Sequence, residues 1–170
     1  GYIPEDRQKF GVFLDFDLRS NLCLRRYYKS PLSEGGILNE NAADEYARKL
    51  IDAYDIRTGQ GTRTTVRSMS GGNQQKAIVA REIEEHSSLI IFVQPTRGLD
   101  MGAIENIHKQ ILAERERGAA ILLISLELDE IMELADTIGV IYNGRLLKVA
   151  DASTLTSQEV GRYMMGVTEN

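Results

Sequence analysis

A chain of 170 residues, 42% of them hydrophobic and 26% charged, is long enough for one domain with a real core. Its net charge of −5 argues against a general nucleic-acid-binding surface, which needs a basic stripe to replace phosphate counterions. The lone Cys23 rules out an internal disulfide and makes a reducing compartment the default; no signal-peptide pattern and no apolar run long enough to cross a bilayer is read, so any membrane role must come through a partner.

In chain order, Gly1 to Ile3 reads as the end of a buried strand, followed by a loop through Pro4-Glu5-Asp6-Arg7. Phe10 to Leu24 alternates apolar residues at Val12, Leu14, Phe16 and Leu18, and the polar loop Lys29 to Gly36 comes next. An amphipathic helix capped by Asn39 is expected to bury Ala43, Tyr46, Ala47, Leu50, Ile51 and Tyr54 on one face. From Ser70 onward the expected order is helix, strand, helix, strand, helix, strand, strand. A helix from Gly102 to Glu116, with Ile104, Ile107, His108, Ile111 and Leu112 as its core stripe, stops at Gly118. A strand over Ala120 to Ser125 precedes a helix through Leu128, Ile131, Met132, Leu134 and Ala135. Thr137 to Tyr142, Asn143-Gly144 and Arg145 to Val149 form a hairpin, since Asn-Gly supplies the positive φ of a tight turn. A short helix over Ser157 to Met164 lies in a tail that carries no chemical signal. Alternating strands and helices imply a parallel sheet, with the hairpin as an antiparallel addition.

Chemistry concentrates in two stretches. The first is Ser68-Met69-Ser70-Gly71-Gly72-Asn73-Gln74-Gln75-Lys76, at the start of a helix whose buried face carries Ile78, Val79 and Ile83. The glycines let backbone N–H groups approach an anion, Ser70 can cap the helix and donate to a phosphate oxygen, and the helix N-terminus adds partial positive charge. The second is Leu89 to Val93, an apolar run read as a buried parallel strand, leading into Gln94-Pro95-Thr96-Arg97-Gly98-Leu99-Asp100.

Ser70 to Lys76 resembles the signature motif of ATP-binding cassette (ABC) ATPases, with Met69 and Asn73 substituted, and Pro95 to Asp100 resembles their D-loop, here through Gly98, Leu99 and Asp100. The resemblance implies an α/β fold: an incomplete P-loop NTPase (ABC ATPase) domain, mainly a parallel sheet with helices, plus a helical subdomain. Residues 1–68 would hold the end of the Q-loop, with Glu5 near the usual glutamine, and the helical subdomain. Residues 69–170 would hold the signature, the Walker B-like strand, the D-loop and the rest of the core.

The residues that carry the family's chemistry are replaced. Val93 stands where an Asp would hold the Mg²⁺ water shell, and an aliphatic side chain offers a hard cation no lone pair. Gln94 stands where a Glu would orient or deprotonate the attacking water, and an amide cannot take that proton. Leu126 stands where a histidine would contact the γ-phosphate. No catalytic residue is therefore expected in this chain. No Gly-Lys dipeptide occurs, hence no Walker A loop, and the expectation is the C-terminal part of a longer protein, cut just before the Q-loop.

The match is narrowed to importers of simple sugars and nucleosides, whose second ATPase halves resemble this chain at Ser70 to Lys76 and Pro95 to Asp100. Val93 and Gln94, with Leu126-Glu127-Leu128-Asp129-Glu130, look most like the nucleoside branch. What the resemblance implies is a fragment whose Ser70, Gly71, Gly72 and Asn73 complete the ATP site of another half. ATP and Mg²⁺ belong to the full-length protein, with neither bound tightly by this chain alone. Its partners would be an N-terminal ATPase half of the same polypeptide, transmembrane permease subunits and, indirectly, an extracellular substrate-binding protein, at the cytoplasmic face of the membrane; no nucleic-acid partner is expected. The rival readings are a non-transport ABC ATPase acting on nucleic acid and a folded interaction domain without a nucleotide role. His86 and His108 lack the convergent ligands a metal needs and read as structural. Arg25, Arg26 and Lys29 read as a solvated basic face, and Asp129 and Glu130 as acids favouring a helix N-terminus.

Overall fold

The computed structural model describes residues 1–167, which form two compact units dividing between Leu122 and Leu123. In the first unit, β1 (Tyr2–Ile3) leads into a π-helical turn, Arg7–Gly11. Asp6 starts that turn by accepting the N–H groups of Gln8 and Lys9 at 3.1 and 3.0 Å. Helix α1 (Leu18–Cys23) is capped by Asp17, and the small hairpin β2 (Ser33–Glu34) and β3 (Ile37–Leu38) turns through Gly35 and Gly36, both at positive φ. The period-two alternation ahead of α1 is therefore not a strand: Val12 and Leu18 go inward, while Phe16 stays exposed and stacks on Phe13.

Helix α2 (Glu40–Ala53) starts where Asn39 accepts the Ala42 N–H at 3.1 Å, and it buries Ala43, Ala47 and Leu50. Helix α3 (Gly71–Ile83) is the hub of the unit, packing against α1, α2 and β1, and against α4 (Met101–Glu116). Its burial extends all round from Gln74 to Ile83, beyond the single face that periodicity predicts. Polar side chains on α3 accordingly find partners, as buried groups must. Gln74 Nε2 donates to the Val66 carbonyl at 3.0 Å, Lys76 Nζ to the Asp55 carboxylate at 2.8 Å, and Arg81 Nη2 to the Gly11 carbonyl at 2.9 Å. Because α1 and α2 pack on α3, the sequence-based boundary at 68/69 falls inside this unit.

The parallel sheet has the order β1-β4-β5, with β4 (Leu89–Val93) between β1 and β5 (Ala120–Ile124). Tyr2 lies opposite Ile91 and Ile3 opposite Phe92 in the parallel pairing of β1 with β4. Strand β4 is buried on one face only: Ile90 and Phe92 are fully inside, Ile91 and Val93 half-buried, and Leu89 exposed. Helix α4 buries Ile107 and Ile111 and ends before Gly118, whose φ of +95° closes the C-terminus.

The predicted solvated basic face is instead an ion-pair clasp on the end of α3. Glu85 takes Arg26 and Lys29 at 2.8 Å each, and Glu82 takes Arg25 at 3.2 Å. Burial alone would raise the Glu85 carboxyl, but the bonds from Lys29 and Arg26 outweigh it and hold it below the usual carboxylate range.

The second unit contains α5 (Leu128–Leu134), β6 (Thr137–Tyr142), β7 (Arg145–Asp151) and α6 (Ser157–Met164). Asn143 and Gly144 take positive φ in the turn, as predicted, and β6 and β7 pair with each other as a two-stranded sheet. Ile138, Val140, Leu155, Val160 and Tyr163 form the core of this unit. Asp129 and Glu130 occupy the first turn of α5. The end of the tail, residues 168–170, lies outside the described residues.

Candidate functional site

The site is built where the first turns of α3 and α4 meet. Ser70, in extended conformation with φ −63° and ψ 154°, is the N-cap of α3. Its Oγ accepts from Asn73 Nδ2 at 2.9 Å and from the Asn73 backbone N–H at 3.4 Å. Both acceptor positions of the hydroxyl are then engaged, so its own O–H remains as a donor on an exposed residue beside the helix N-terminus. Asn73 is fixed in turn by the Arg57 N–H, donated to its Oδ1 at 2.8 Å. The Asn73 amide thus orients Ser70 and ties α3 to the preceding loop.

Close neighbours stand beside both glycines. A Cβ on Gly71 would lie 2.9 Å from Arg7 Nη2 and 3.3 Å from its Cζ, because the guanidinium lies across this residue. A Cβ on Gly72 would lie 3.2 Å from the Ala103 Cβ and 3.8 Å from Asp100 Oδ2, so α3 and α4 come together there.

The loop from β4 to α4 is set by local turns. Gln94 is buried and left-handed, with φ +49°, and its carbonyl accepts the Arg97 N–H at 3.2 Å. Gly98 supplies a φ of +68°, and Leu99, half-buried, closes a turn on the Thr96 carbonyl. Asp100 spends its carboxylate locally, capping α4 through the Ala103 N–H at 2.9 Å. Glu5 and Arg97 form an exposed ion pair at 2.7 Å. The structure therefore brings Glu5, the Ser70–Asn73 turn and the Gly98–Asp100 loop into one neighbourhood. Arg7 joins them by donating to the Arg97 carbonyl at 3.0 Å. Sequence reasoning passed over Arg7 and the backbone of Arg57, since nothing in the spacing marks partners so far along the chain.

The fit to a resident Mg²⁺ fails. Val93 ends β4 as a half-buried hydrocarbon, and among the described residues no group of His, Cys, Asp or Glu could hold a metal ion. Leu126, in the second unit, is 73% exposed, and the neighbouring Ser125 Oγ accepts the Glu127 N–H at 3.0 Å. Cys23 is buried with its thiol pushed up to about 11, chiefly by desolvation, so it is protonated and unreactive at neutral pH. No helix among the described residues is long and apolar enough to cross a membrane.

No protein-family model matches the chain. Curated relatives do. The guanosine import ATP-binding protein NupO of Bacillus subtilis is 48% identical over 99% of this chain, and the nucleoside import ATP-binding protein NupA of Lactococcus lactis is 46% identical over 98%. A ribose import ATP-binding protein, RbsA of Shouchella clausii, is 30% identical over 97%. The chain spans only about a third of the length of these relatives, 33% of NupO and of NupA and 32% of RbsA. Among solved structures, the dimeric post-hydrolysis state of the ATP-binding cassette MJ0796, bound to ADP and Pi, matches with a TM-score of 0.71 at 18% identity, over 89% of this chain and 62% of that one. The chain therefore has the fold of an ABC ATPase and is homologous, over nearly its whole length, to one third of the ATP-binding proteins of nucleoside and sugar importers.

Proposed function

We propose that this chain is part of the ATP-binding component of a nucleoside importer, and that its Ser70–Asn73 turn completes a nucleotide site whose other wall belongs to a separate ATPase half. The observation that carries this reading is the exposed Ser70 hydroxyl, whose oxygen accepts from Asn73 at the N-terminus of a thirteen-residue helix and leaves its O–H to donate. Such a preorganised donor costs no reorganisation when negative charge develops in front of it. Gly71 and Gly72 keep side chains out of the approach, and Asp100 keeps α4 in register beside them.

The chain's own Walker B-like position supplies neither metal ligand nor base. Val93 and Gln94 offer no carboxylate, so a nucleotide on that side would be held without efficient hydrolysis. ATP and Mg²⁺ accordingly act on the full-length protein. The partners follow from the same reading: an ATPase half preceding this segment in one polypeptide, permease subunits in the membrane, and a solute-binding protein reached through them. The protein would sit at the cytoplasmic face of the membrane. Nucleosides are favoured over sugars because NupO and NupA are more similar to this chain than RbsA, and because Val93, Gln94 and Leu126 look like the nucleoside branch.

Competitive uptake of radiolabelled solutes by a strain lacking the full-length protein tests the assignment. High-affinity uptake of a purine or pyrimidine nucleoside should be lost, with ribose and galactose uptake retained. Selective loss of a pentose or hexose with normal nucleoside uptake rejects it.

A further inference from the structure

Two segments distant in sequence converge on one side chain. Arg7 Nη1 donates to the Arg97 carbonyl at 3.0 Å, and the same guanidinium lies against Gly71, 2.9 Å from where a Cβ would stand. It also reaches Gly98, whose Cβ position would be 3.8 Å from Nη2. Two further contacts brace the segment that carries it. Glu5 pairs with the Arg97 side chain at 2.7 Å, and Gln8 Nε2 donates to Gln74 Oε1, on the second turn of α3, at 3.4 Å. Asp6 starts the π-helical turn that projects Arg7 by taking the N–H groups of Gln8 and Lys9.

We infer that Arg7 is a positioning residue, a clamp that fixes the Arg97–Asp100 loop against the first turn of α3 so that both present a single surface to the opposing nucleotide. The inference rests on the function proposed above and adds to it a residue that lies outside both motifs in sequence and joins them in space. A planar guanidinium suits the role because one edge can donate to a carbonyl while its flat face lies over a Cα that bears no side chain. A lysine at position 7 would keep the charge but lose the face. Glycine at 71 then leaves room for the clamp, while glycine at 98 is required by its φ of +68°. Without Arg7, the contact of Gly72 with Ala103 still joins α3 to α4, but nothing among the contacts described ties Gly71 to Arg97. The helix pair would persist while the loop in front of it shifts.

The test uses the full-length protein with four variants: Gly71→Asp, Arg7→Ala, Arg7→Lys and Arg97→Ala. Misplacement of a positioned group by ~1 Å can cost roughly 10²-fold in rate, so Arg7→Ala should lower kcat about 10- to 100-fold. Arg7→Lys should fall nearly as far. Arg97→Ala, which keeps the carbonyl and loses only the Glu5 pair, should fall much less. Hydrogen exchange gives the local readout: in Arg7→Ala and Arg7→Lys, amides of Gly71–Asn73 and of Gly98–Ala103 should exchange faster together, while those of α2 are unchanged. If Gly71→Asp leaves hydrolysis intact, the signature reading itself fails. If Gly71→Asp abolishes hydrolysis while Arg7→Ala keeps the wild-type kcat, the clamp is overturned and the reading stands. Full rescue by Arg7→Lys overturns it as well, since charge alone would then suffice. Should Arg7→Ala not fold, the lysine variant carries the same decision.

Discussion

Gly71→Asp separates binding chemistry from folding with unusual clarity. Position 71 opens the first turn of α3, where an acidic side chain complements the helix dipole by about 0.3–1 kcal/mol, so the variant should fold as well as the parent. The added Cβ would push aside the Arg7 guanidinium, 2.9 Å away, and the new carboxylate can pair with it once moved. The same carboxylate, however, faces the direction from which a nucleotide's terminal phosphate would approach Ser70. Two unit charges about 4 Å apart repel by ~4 kcal/mol at an effective dielectric of 20, and partial neutralisation by Arg7 brings that to roughly half. At ~1.4 kcal/mol per decade the remaining ~2 kcal/mol lowers hydrolysis by roughly 30-fold. Phosphate release by the full-length protein, measured with the thermal midpoint of each variant, reads both effects together. Gln94→Glu serves as the control and should change little, since Val93 and Leu126 remain. Intact steady-state hydrolysis in Gly71→Asp, combined with its destruction by Gln94→Ala, would reverse the proposed division of labour.

Further outcomes are expected of the chain by itself. It should neither bind ATP tightly nor hydrolyse it, because on the proposed reading the Ser70 turn would meet only one side of a nucleotide; calorimetry with ATP and Mg²⁺ that returns micromolar affinity with turnover would refute this. Gly11→Ala should destabilise the fold by about 1–3 kcal/mol, because the added Cβ would lie 2.4 Å from Cδ1 of the fully buried Ile78, and urea denaturation reads the cost. Glu85 has a depressed folded pKa, so its contribution is present above its unfolded value of ~4.3 and is lost as pH falls through the lower folded value. Glu85→Gln should therefore be less stable than the parent near neutrality, the two converging in acid; a gap that stays constant down to pH ~3 would mean that the ion pairs with Arg26 and Lys29 contribute nothing.

Local rules made much of this architecture legible. Asn39 caps α2, Ser70 caps α3 and Asn143-Gly144 turns the second hairpin because each of these depends on neighbours within a few residues. Helix α1 was hidden by the alternation of Val12, Leu14, Phe16 and Leu18, a period-two pattern that Asp17 interrupts by capping a helix. The basic run at Arg25, Arg26 and Lys29 could not be read correctly because its partners, Glu82 and Glu85, arrive more than fifty residues later. Arg7 was invisible for the same reason, its acceptor being 90 residues away in sequence. Of the candidate site, the Ser70 cap was legible; the use of the Asn73 amide to orient Ser70 was not, since a signature-like sequence gives spacing without hydrogen-bond direction.

On the function proposed above, the contrast between Ser70 and Gln94 accounts for one half of such a site keeping a function that the other lacks. A donor surface draws its polarity from backbone N–H groups, a capped hydroxyl and a helix N-terminus, none of which depends on a metal ion or on a titrating side chain. Its geometry is maintained from within, by Asn73, by Arg57 and by the glycine contacts with Arg7 and Ala103. Hydrolysis by contrast demands a carboxylate at one particular atom position, and an amide of the same shape supplies the hydrogen bond without the basicity. Gln94 can thus occupy its left-handed, buried place at the end of β4 while the turn at Ser70 is unaffected. On the same reading, absence of the acids and presence of the donors are physically independent, so in a two-site assembly one site would turn over while its partner only holds.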